Sequence, residues 1–280
     1  MYDTYTLYDV YASRFVPGRE VTRRDRRSRI LHHRAPMWTE LRGFDAATPE
    51  LMARRELLQR IDAKFAFDVA RLPELIGGLA ADYAVLPVAG GAVATYRNVY
   101  FDTPSLRCFH DHRRGRRIRS KVRIRHYPER ALSFVEVKTK RGASVTDKRR
   151  LAIPFAQDEL GADARAFVCS AAGLDEELAP AVRIDYRRIA LVNKHAPERL
   201  TIDLDLVVSH GDTRRELGAL AIVELKRSLD RPRTPALRAL AAAGLRERSL
   251  SKYCAAVALV RPDVRHNRLR PDLRVLEALR

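Results

Sequence analysis

Apolar and polar residues alternate with period two over several stretches of this chain, the pattern of strands covered on one side. RRIRSKVRIRHY (116–127) and LSFVEVKTK (132–140) form the clearest pair, joined by a short Pro-Glu-Arg turn. RIDAKFAFDV (60–69), the β-branched and aromatic VATYRNVYFDT (93–103), VRIDYRRIALVN (182–193), ERLTIDLDLVVS (198–209) and GALAIVELKRS (218–228) read as further strands. Helical spacing appears in TPELMARRELLQR (48–60), where Thr48 precedes Pro49 at the first helical position, and in LPELIGGLAADY (72–83) behind Pro73. TPSLRCFHDH (103–112) predicts a helical turn closed by Gly115, and a helix falls within QDELGADARAFVCSAAG (157–173). TPALRALAAAGLRER (234–248) and SLSKYCAAVALV (249–260) predict two more. The strands, about eight, are mostly consecutive, which predicts an antiparallel α+β protein and not the βαβ alternation of a parallel sheet.

The polar faces of these strands are unusual. Residues two apart share a face, so Arg60, Asp62 and Lys64 lie together, opposite Ile61, Ala63 and Phe65. Lys121, Arg123 and Arg125 oppose Val122 and Ile124; Glu136, Lys138 and Lys140 oppose Val135 and Val137. Asp203 and Asp205 oppose Ile202, Leu204 and Leu206, and Glu224 and Lys226 oppose Val223 and Leu225. Any half-exposed sheet shows a charged face with an apolar back. Here, however, acids and bases are mixed on five strands, and the Thr, Ser and Gln usual on a solvated face are almost absent. The alternative is a closed sheet whose charged face lines a polar lumen, with helices over the apolar face. Buried charges persist when paired or when they meet a ligand. Excess Lys and Arg with a few carboxylates would suit a phosphate chain, and the carboxylates a divalent metal bridging it.

Composition sharpens this. The 280 residues include 53 Lys plus Arg and 35 Asp plus Glu, a formal net charge of +18, with 46% hydrophobic residues. That apolar fraction fills a core and excludes a disordered chain. No apolar run is long enough to span a membrane, and no secretory signal opens the chain. The 3 cysteines, Cys108, Cys169 and Cys254, are far apart. They support neither a disulfide framework nor a zinc site, and a reducing cytoplasm fits them best. Residues 1–36 read as a basic arm, 37–262 as the folded domain, and 263–280 as a basic tail. Most of the excess charge belongs to the folded part. Only 8 basic residues are Lys, among them Lys64, Lys121, Lys138, Lys140, Lys148, Lys226 and Lys252. In so Arg-rich a chain they mark positions where a compact ammonium fits and a planar fork does not.

RIDAKF, VYFDTPSLRCFHDHRRGR, SKVRIRHY, FVEVKTK, IDYRRIAL, IVELK and LSKY, in that order over about residues 53–260, resemble the triphosphate tunnel metalloenzyme (CYTH-like) superfamily. Within it they are similar to the VTC (vacuolar transporter chaperone) domain, a polyphosphate polymerase. The resemblance implies a closed eight-stranded antiparallel tunnel with flanking helices. It implies that Lys64, Arg123, Arg125, Lys138, Arg188, Ser251 and Lys252 bind phosphate, with Lys121, Lys140, Lys148 and Lys226 as further basic lining. Glu224 matches the family's metal-binding glutamate, and Glu136 is a second candidate carboxylate for Mn²⁺ or Mg²⁺. Ser251 also reads from its position as the N-cap of a helix whose free N–H groups favour phosphate. The superfamily's first-strand ExExK is here Arg60, Asp62, Lys64, a departure that favours the polymerase branch over a triphosphatase.

The implied activity is metal-dependent phosphoryl transfer from ATP or another nucleoside triphosphate to a growing polyphosphate chain. A triphosphatase of the same fold, or a non-catalytic module binding polyphosphate or inositol phosphates, would carry the same lining. A membrane-protein partner is compatible with the resemblance. A nucleic-acid binder, which a pI near 10.4 brings to mind, would call for stacking platforms or a recognition helix, and the dispersed aromatics do not provide them. His110, His112 and His126 show no metal spacing, and alternation points His126 away from the charged face. Tyr100 and Asp102 read as orienting or structural groups.

Overall fold

The alternating stretches assemble into one sheet. In the computed structural model, which describes residues 41–54, 61–89, 91–142, 145–228 and 233–279, the strands are β1 (Asp45–Ala46), β2 (Ile61–Asp68), β3 (Tyr83–Val85), β4 (Val93–Asp102), β5 (Ile118–Tyr127), β6 (Leu132–Arg141), β7 (Val145–Ile153), β8 (Ala179–Asn193), β9 (Glu198–His210), β10 (Thr213–Leu217) and β11 (Leu220–Arg227). Eight of them run β2-β11-β9-β8-β4-β5-β6-β7, each antiparallel to its neighbour. β10 adds to β9, β3 to β8, and the short β1 lies parallel to β3. The expected arm over 1–36 and Arg60 fall outside the described residues.

The expectation of a closed eight-stranded tunnel is corrected here. The sheet counts 11 strands among the described residues, and it is open. Among the described residues β2 pairs only with β11 and β7 only with β6, so the two ends of the path do not join. Alternation assigns side chains to faces, whereas closure depends on strand tilt and stagger, which no local pattern encodes. On β7 the outer edge carries Asp147, Lys148, Arg149 and Arg150, charges of the kind that discourage a further strand from pairing. That run is too charged to read as a strand from sequence, and β1, β3, β7 and β10 all lie outside the expected strands.

The helices are α1 (Pro49–Arg54), α2 (Leu72–Gly77), α3 (Arg107–Arg114), α4 (Ala162–Ala172), α5 (Pro235–Ala242), α6 (Lys252–Val260) and α7 (Arg270–Ala278). None is long and apolar enough to cross a membrane. Asp102 starts α3: its carboxylate accepts from the backbone N–H of Thr103, Cys108 and Phe109 at 2.8–2.9 Å and from the Tyr253 hydroxyl. Gly115, at φ 71°, ends that helix in the left-handed conformation a side chain disfavours. Ser251 caps α6 by accepting from Cys254 N, and Thr234 caps α5 by accepting from Leu237 N.

Helices cover the apolar positions that alternation marked out. Val122, Ile124, Val135 and Val137 are fully buried in one cluster with Phe167 and Val168 of α4. Phe65, Phe67, Ile202, Leu204, Val223 and Leu225 form a second cluster with α2 and α5. Leu273 and Leu276 of α7 are buried in the first cluster, so part of the segment read as a basic tail is a packed helix. Cys108, Cys169 and Cys254 are unpaired. The burial of Phe167 gives the packing a direct test. Phe167→Ala should destabilise the protein by about 3–5 kcal/mol, read as a lowered denaturant midpoint at unchanged slope.

Candidate functional site

Register decides which charged residues meet. On one face of the sheet, Lys64 of β2 lies opposite Glu224 of β11, and Asp62 opposite Lys226. Further along, Arg188 of β8 faces Asp203 of β9. On β4, Tyr96 faces Tyr186 of β8, while Asn98 and Tyr100 face Arg125 and Arg123 of β5. Three strands then line up in rungs: Arg123–Glu136–Arg150, Lys121–Lys138–Lys148, and outermost Arg119–Lys140–Thr146. Like charges directly opposite one another repel, so the Lys121–Lys138–Lys148 rung needs a compensating interaction.

Glu136 supplies part of it. Its carboxylate is 2% exposed; it accepts hydrogen bonds from Arg123 Nε at 2.7 Å and Lys148 Nζ at 2.9 Å, and forms ion pairs with Arg150 Nε at 2.8 Å and Arg125 Nη1 at 3.7 Å. Burial alone would raise its pKa, but Arg123, Lys148, Arg125 and Arg150 together hold it well below the carboxylate range. Arg123 also donates to Tyr100 Oη at 2.7 Å, and Arg125 to Asn98 Oδ1 at 2.8 Å.

Asp203, fully buried, makes a second cluster with Arg188 and with Lys252 from the first turn of α6. The sequence pattern paired Asp203 with Asp205, and the structure separates them. A bulge opposite Tyr186 puts Asp205 at φ 51° and turns it to Arg187. In the third cluster Glu224 bonds Lys226. Burial would raise its pKa, but Lys226, Lys64 and Lys252 bring it well below the usual value.

Lys121 and Lys138 stand directly opposite each other, and among the described residues neither forms an ion pair; Lys121 Nζ donates to Ser251 Oγ at 3.0 Å, which ties the rung to the N-cap of α6. Desolvation, then Lys64, Arg123 and Arg119, bring Lys121 down to about 8, with Cys254 opposing. Desolvation, then Lys121 and Lys226, do the same to Lys138, to about 8, although Glu224 and Asp62 oppose it. Lys138 is open to water, which screens it, so the larger strain rests on half-buried Lys121. These influences link β5 and β6 with β2 and β11, far apart in strand order. The face is a single electrostatic unit.

The divalent metal implied by the resemblance would need oxygen ligands from this face. Among the described residues no three His, Cys, Asp or Glu side chains gather to hold an ion. Glu136, a candidate ligand from sequence, has both oxygens occupied by its cations and does not suit that role. Glu224 and Asp62, diagonal neighbours on β11 and β2, are the carboxylates that fit an ion sharing its remaining ligands with phosphate and water. His126 lies off the charged face as alternation requires, bonded to Ser133 at 2.6 Å and Asp158 at 2.9 Å. Burial first, and Lys121 next, lower His112 to about 3, so it stays neutral.

Sequence reasoning missed Arg150, Tyr96, Tyr186 and Asn98 as parts of the site. Arg150 lay in the strand that charge concealed. The other three lie on expected strands, but it is strand pairing that sets Asn98 opposite Arg125 and Tyr96 opposite Tyr186.

The family model described as "VTC domain" matches residues 59–261. No curated protein matches the chain significantly. Among solved structures, a putative adenylate cyclase from Bacillus halodurans is 13% identical, with 69% of this chain and 94% of that chain covered at a TM-score of 0.46. A putative adenylyl cyclase from Hippeastrum, described as having a dominant triphosphatase activity, is 15% identical, with 71% and 96% covered at 0.44. A conserved hypothetical protein from Pyrococcus furiosus is 11% identical, with 72% and 100% covered at 0.42.

The two lowered lysines set a pH dependence. Both are charged below about 8 and lose their protons above it, so affinity for a polyanion should fall between pH 7 and pH 9. Calorimetric titration with inorganic triphosphate should show a loss of about tenfold or more. A Lys121→Met, Lys138→Met double variant, which lacks both groups, should bind weakly with a flatter profile. Lys121→Met alone should raise the melting temperature of the free protein at pH 7, because it removes a desolvated cation that no carboxylate neutralises.

Proposed function

The chain belongs to the VTC domain family, and on that footing we propose that its charged face binds the phosphate chain of a triphosphate or polyphosphate and acts on it by phosphoryl transfer. The observation that carries this reading is the Lys121–Lys138 pair. Two ammonium groups stand opposite each other without a carboxylate partner among the described residues, both with lowered pKa. A polyanion would neutralise them. Arg123, Arg125 and Arg188 are already anchored by carboxylates and tyrosines, so they meet the ligand in fixed positions.

Phosphoryl transfer suits such a face, because it needs positioning and charge stabilisation more than covalent chemistry. Lys64, Lys121, Lys138 and Lys252 would contact non-bridging oxygens, and the guanidinium groups would stabilise charge that develops on the transferred group. Lys148 and Lys226, bonded to Glu136 and Glu224, would hold those carboxylates in place and add to the field, and Lys140 would extend the lining outward. Ser251 keeps the start of α6 against Lys121, where backbone N–H groups favour phosphate. When bound, Mn²⁺ or Mg²⁺ would withdraw charge from the phosphate oxygens, held by Glu224 and Asp62.

Water or a second phosphate chain could accept the phosphoryl group. Arg60, in place of the first glutamate of the family's first-strand signature, leaves fewer carboxylates than a two-metal hydrolase would use and favours the chain as acceptor. Incubation with ATP and Mn²⁺, read in parallel by chain-length gel and by phosphate release, separates the possibilities. Growth of a polyphosphate ladder establishes the polymerase, release of orthophosphate alone a triphosphatase, and triphosphate binding without turnover a binding module. If either activity is present, Lys138→Ala or Glu224→Gln should lower turnover about a hundredfold or more. Wild-type rates in both variants would refute the assignment of the site.

A further inference from the structure

Three cations of the charged face come from three separate elements: Arg125 from β5, Arg188 from β8 and Lys252 from α6. Two other groups bring them together. Asp203 accepts Arg188 Nε at 2.5 Å on Oδ1, and both Arg188 Nη2 at 2.8 Å and Lys252 Nζ at 2.5 Å on Oδ2. The second group is a pair of tyrosines. Tyr96 and Tyr186 stack with ring centroids 5.2 Å apart and planes 7° from parallel. The Arg188 guanidinium lies 4.8 Å from the centre of Tyr96 and 5.2 Å from that of Tyr186. Arg125 lies 4.9 Å from Tyr96 and donates to Tyr186 Oη at 2.9 Å, and Lys252 lies 5.6 Å from the Tyr186 ring.

Asp203 is unfavourable on charge alone. A fully buried carboxylate at a site for a polyanion repels the ligand, and its removal would raise the net positive charge by one. Its presence is explained if the geometry it imposes is worth more than the repulsion it adds. An Arg whose Nε and Nη2 are both taken by one carboxylate has a fixed plane, and the remaining donors point in a set direction.

We propose that Asp203 and the Tyr96–Tyr186 pair are positioning residues that aim Arg125, Arg188 and Lys252 at one phosphoryl group of the bound chain. This rests on the function proposed above and adds the groups that make its cations converge.

Charge and positioning make opposite forecasts for Asp203→Asn. Titrated with inorganic triphosphate, the variant should bind about tenfold more weakly or worse if positioning governs. Unchanged or tighter binding would overturn the role of Asp203. Asp203→Glu, which restores the carboxylate, should recover part of the loss. Asp205→Asn, which breaks the neighbouring pair with Arg187 at the bulge, should leave affinity unchanged; an equal loss there would reduce the effect to general destabilisation and overturn the inference. Tyr186→Phe keeps the ring and removes only the hydroxyl bonded to Arg125. It should weaken binding several-fold at an unchanged melting temperature, and wild-type affinity would remove Tyr186 from the set. Failure of the unaltered protein to bind triphosphate would instead overturn the proposed function.

Discussion

Cations repel one another, and the charged face of this sheet exists because a few carboxylates hold them in place. Glu136 gathers Arg123, Arg125, Lys148 and Arg150, Asp203 gathers Arg188 and Lys252, and Glu224 takes Lys226. Each carboxylate is either well buried or crowded by its partners, so its attraction is little screened. The number of carboxylates is smaller than the number of cations, and the surplus is not spread evenly. Arginine, with its planar fork, takes most of the fixed pairings, while Lys121 and Lys138 form no ion pair among the described residues. The part of the face that holds itself together and the part left for a ligand are thus divided by side-chain chemistry.

That division requires register. Had β6 slipped by one residue against β5, Glu136 would face the helices and Val135 or Val137 would replace it among the arginines. The packing of Val122, Ile124, Val135 and Val137 under α4 therefore fixes the electrostatics on the opposite side. α6 contributes in the same way from outside the sheet. Ser251 reaches Lys121, Lys252 reaches Asp203, and Tyr253 stacks on Tyr100 at 5.1 Å while bonding Asp102. One short helix start ties together β4, β5 and β9.

The carboxylates also bear on metal binding. Glu136 looks like a metal ligand when read as an isolated acid among bases, but its four partners give it a different purpose, the assembly of cations. Glu224 bonds a single ammonium, that of Lys226, and Asp62 lies diagonally across from it on β2. The same residue type on two distant strands therefore meets two different environments, set by the number of cations around each.

Local sequence determined much of this. Local pattern marked β2, β4, β5, β6, β8, β9 and β11, and period-two alternation placed Lys64, Lys121, Arg123, Arg125, Lys138 and Glu224 on polar faces; Arg188 came only from the family resemblance. Ser251 was legible as a helix cap from its place before an apolar run. These properties are short-range: they depend on which way a side chain points from its own strand or turn. Tertiary structure alone decided the rest. The sheet remains open because tilt and stagger are collective properties of all its strands. Asp203 and Asp205 part company because a bulge forms opposite Tyr186. Arg150, Tyr96 and Tyr186 join the site because pairing sets them beside cations distant in the chain, and a residue's neighbours across a sheet cannot be read from its neighbours along it.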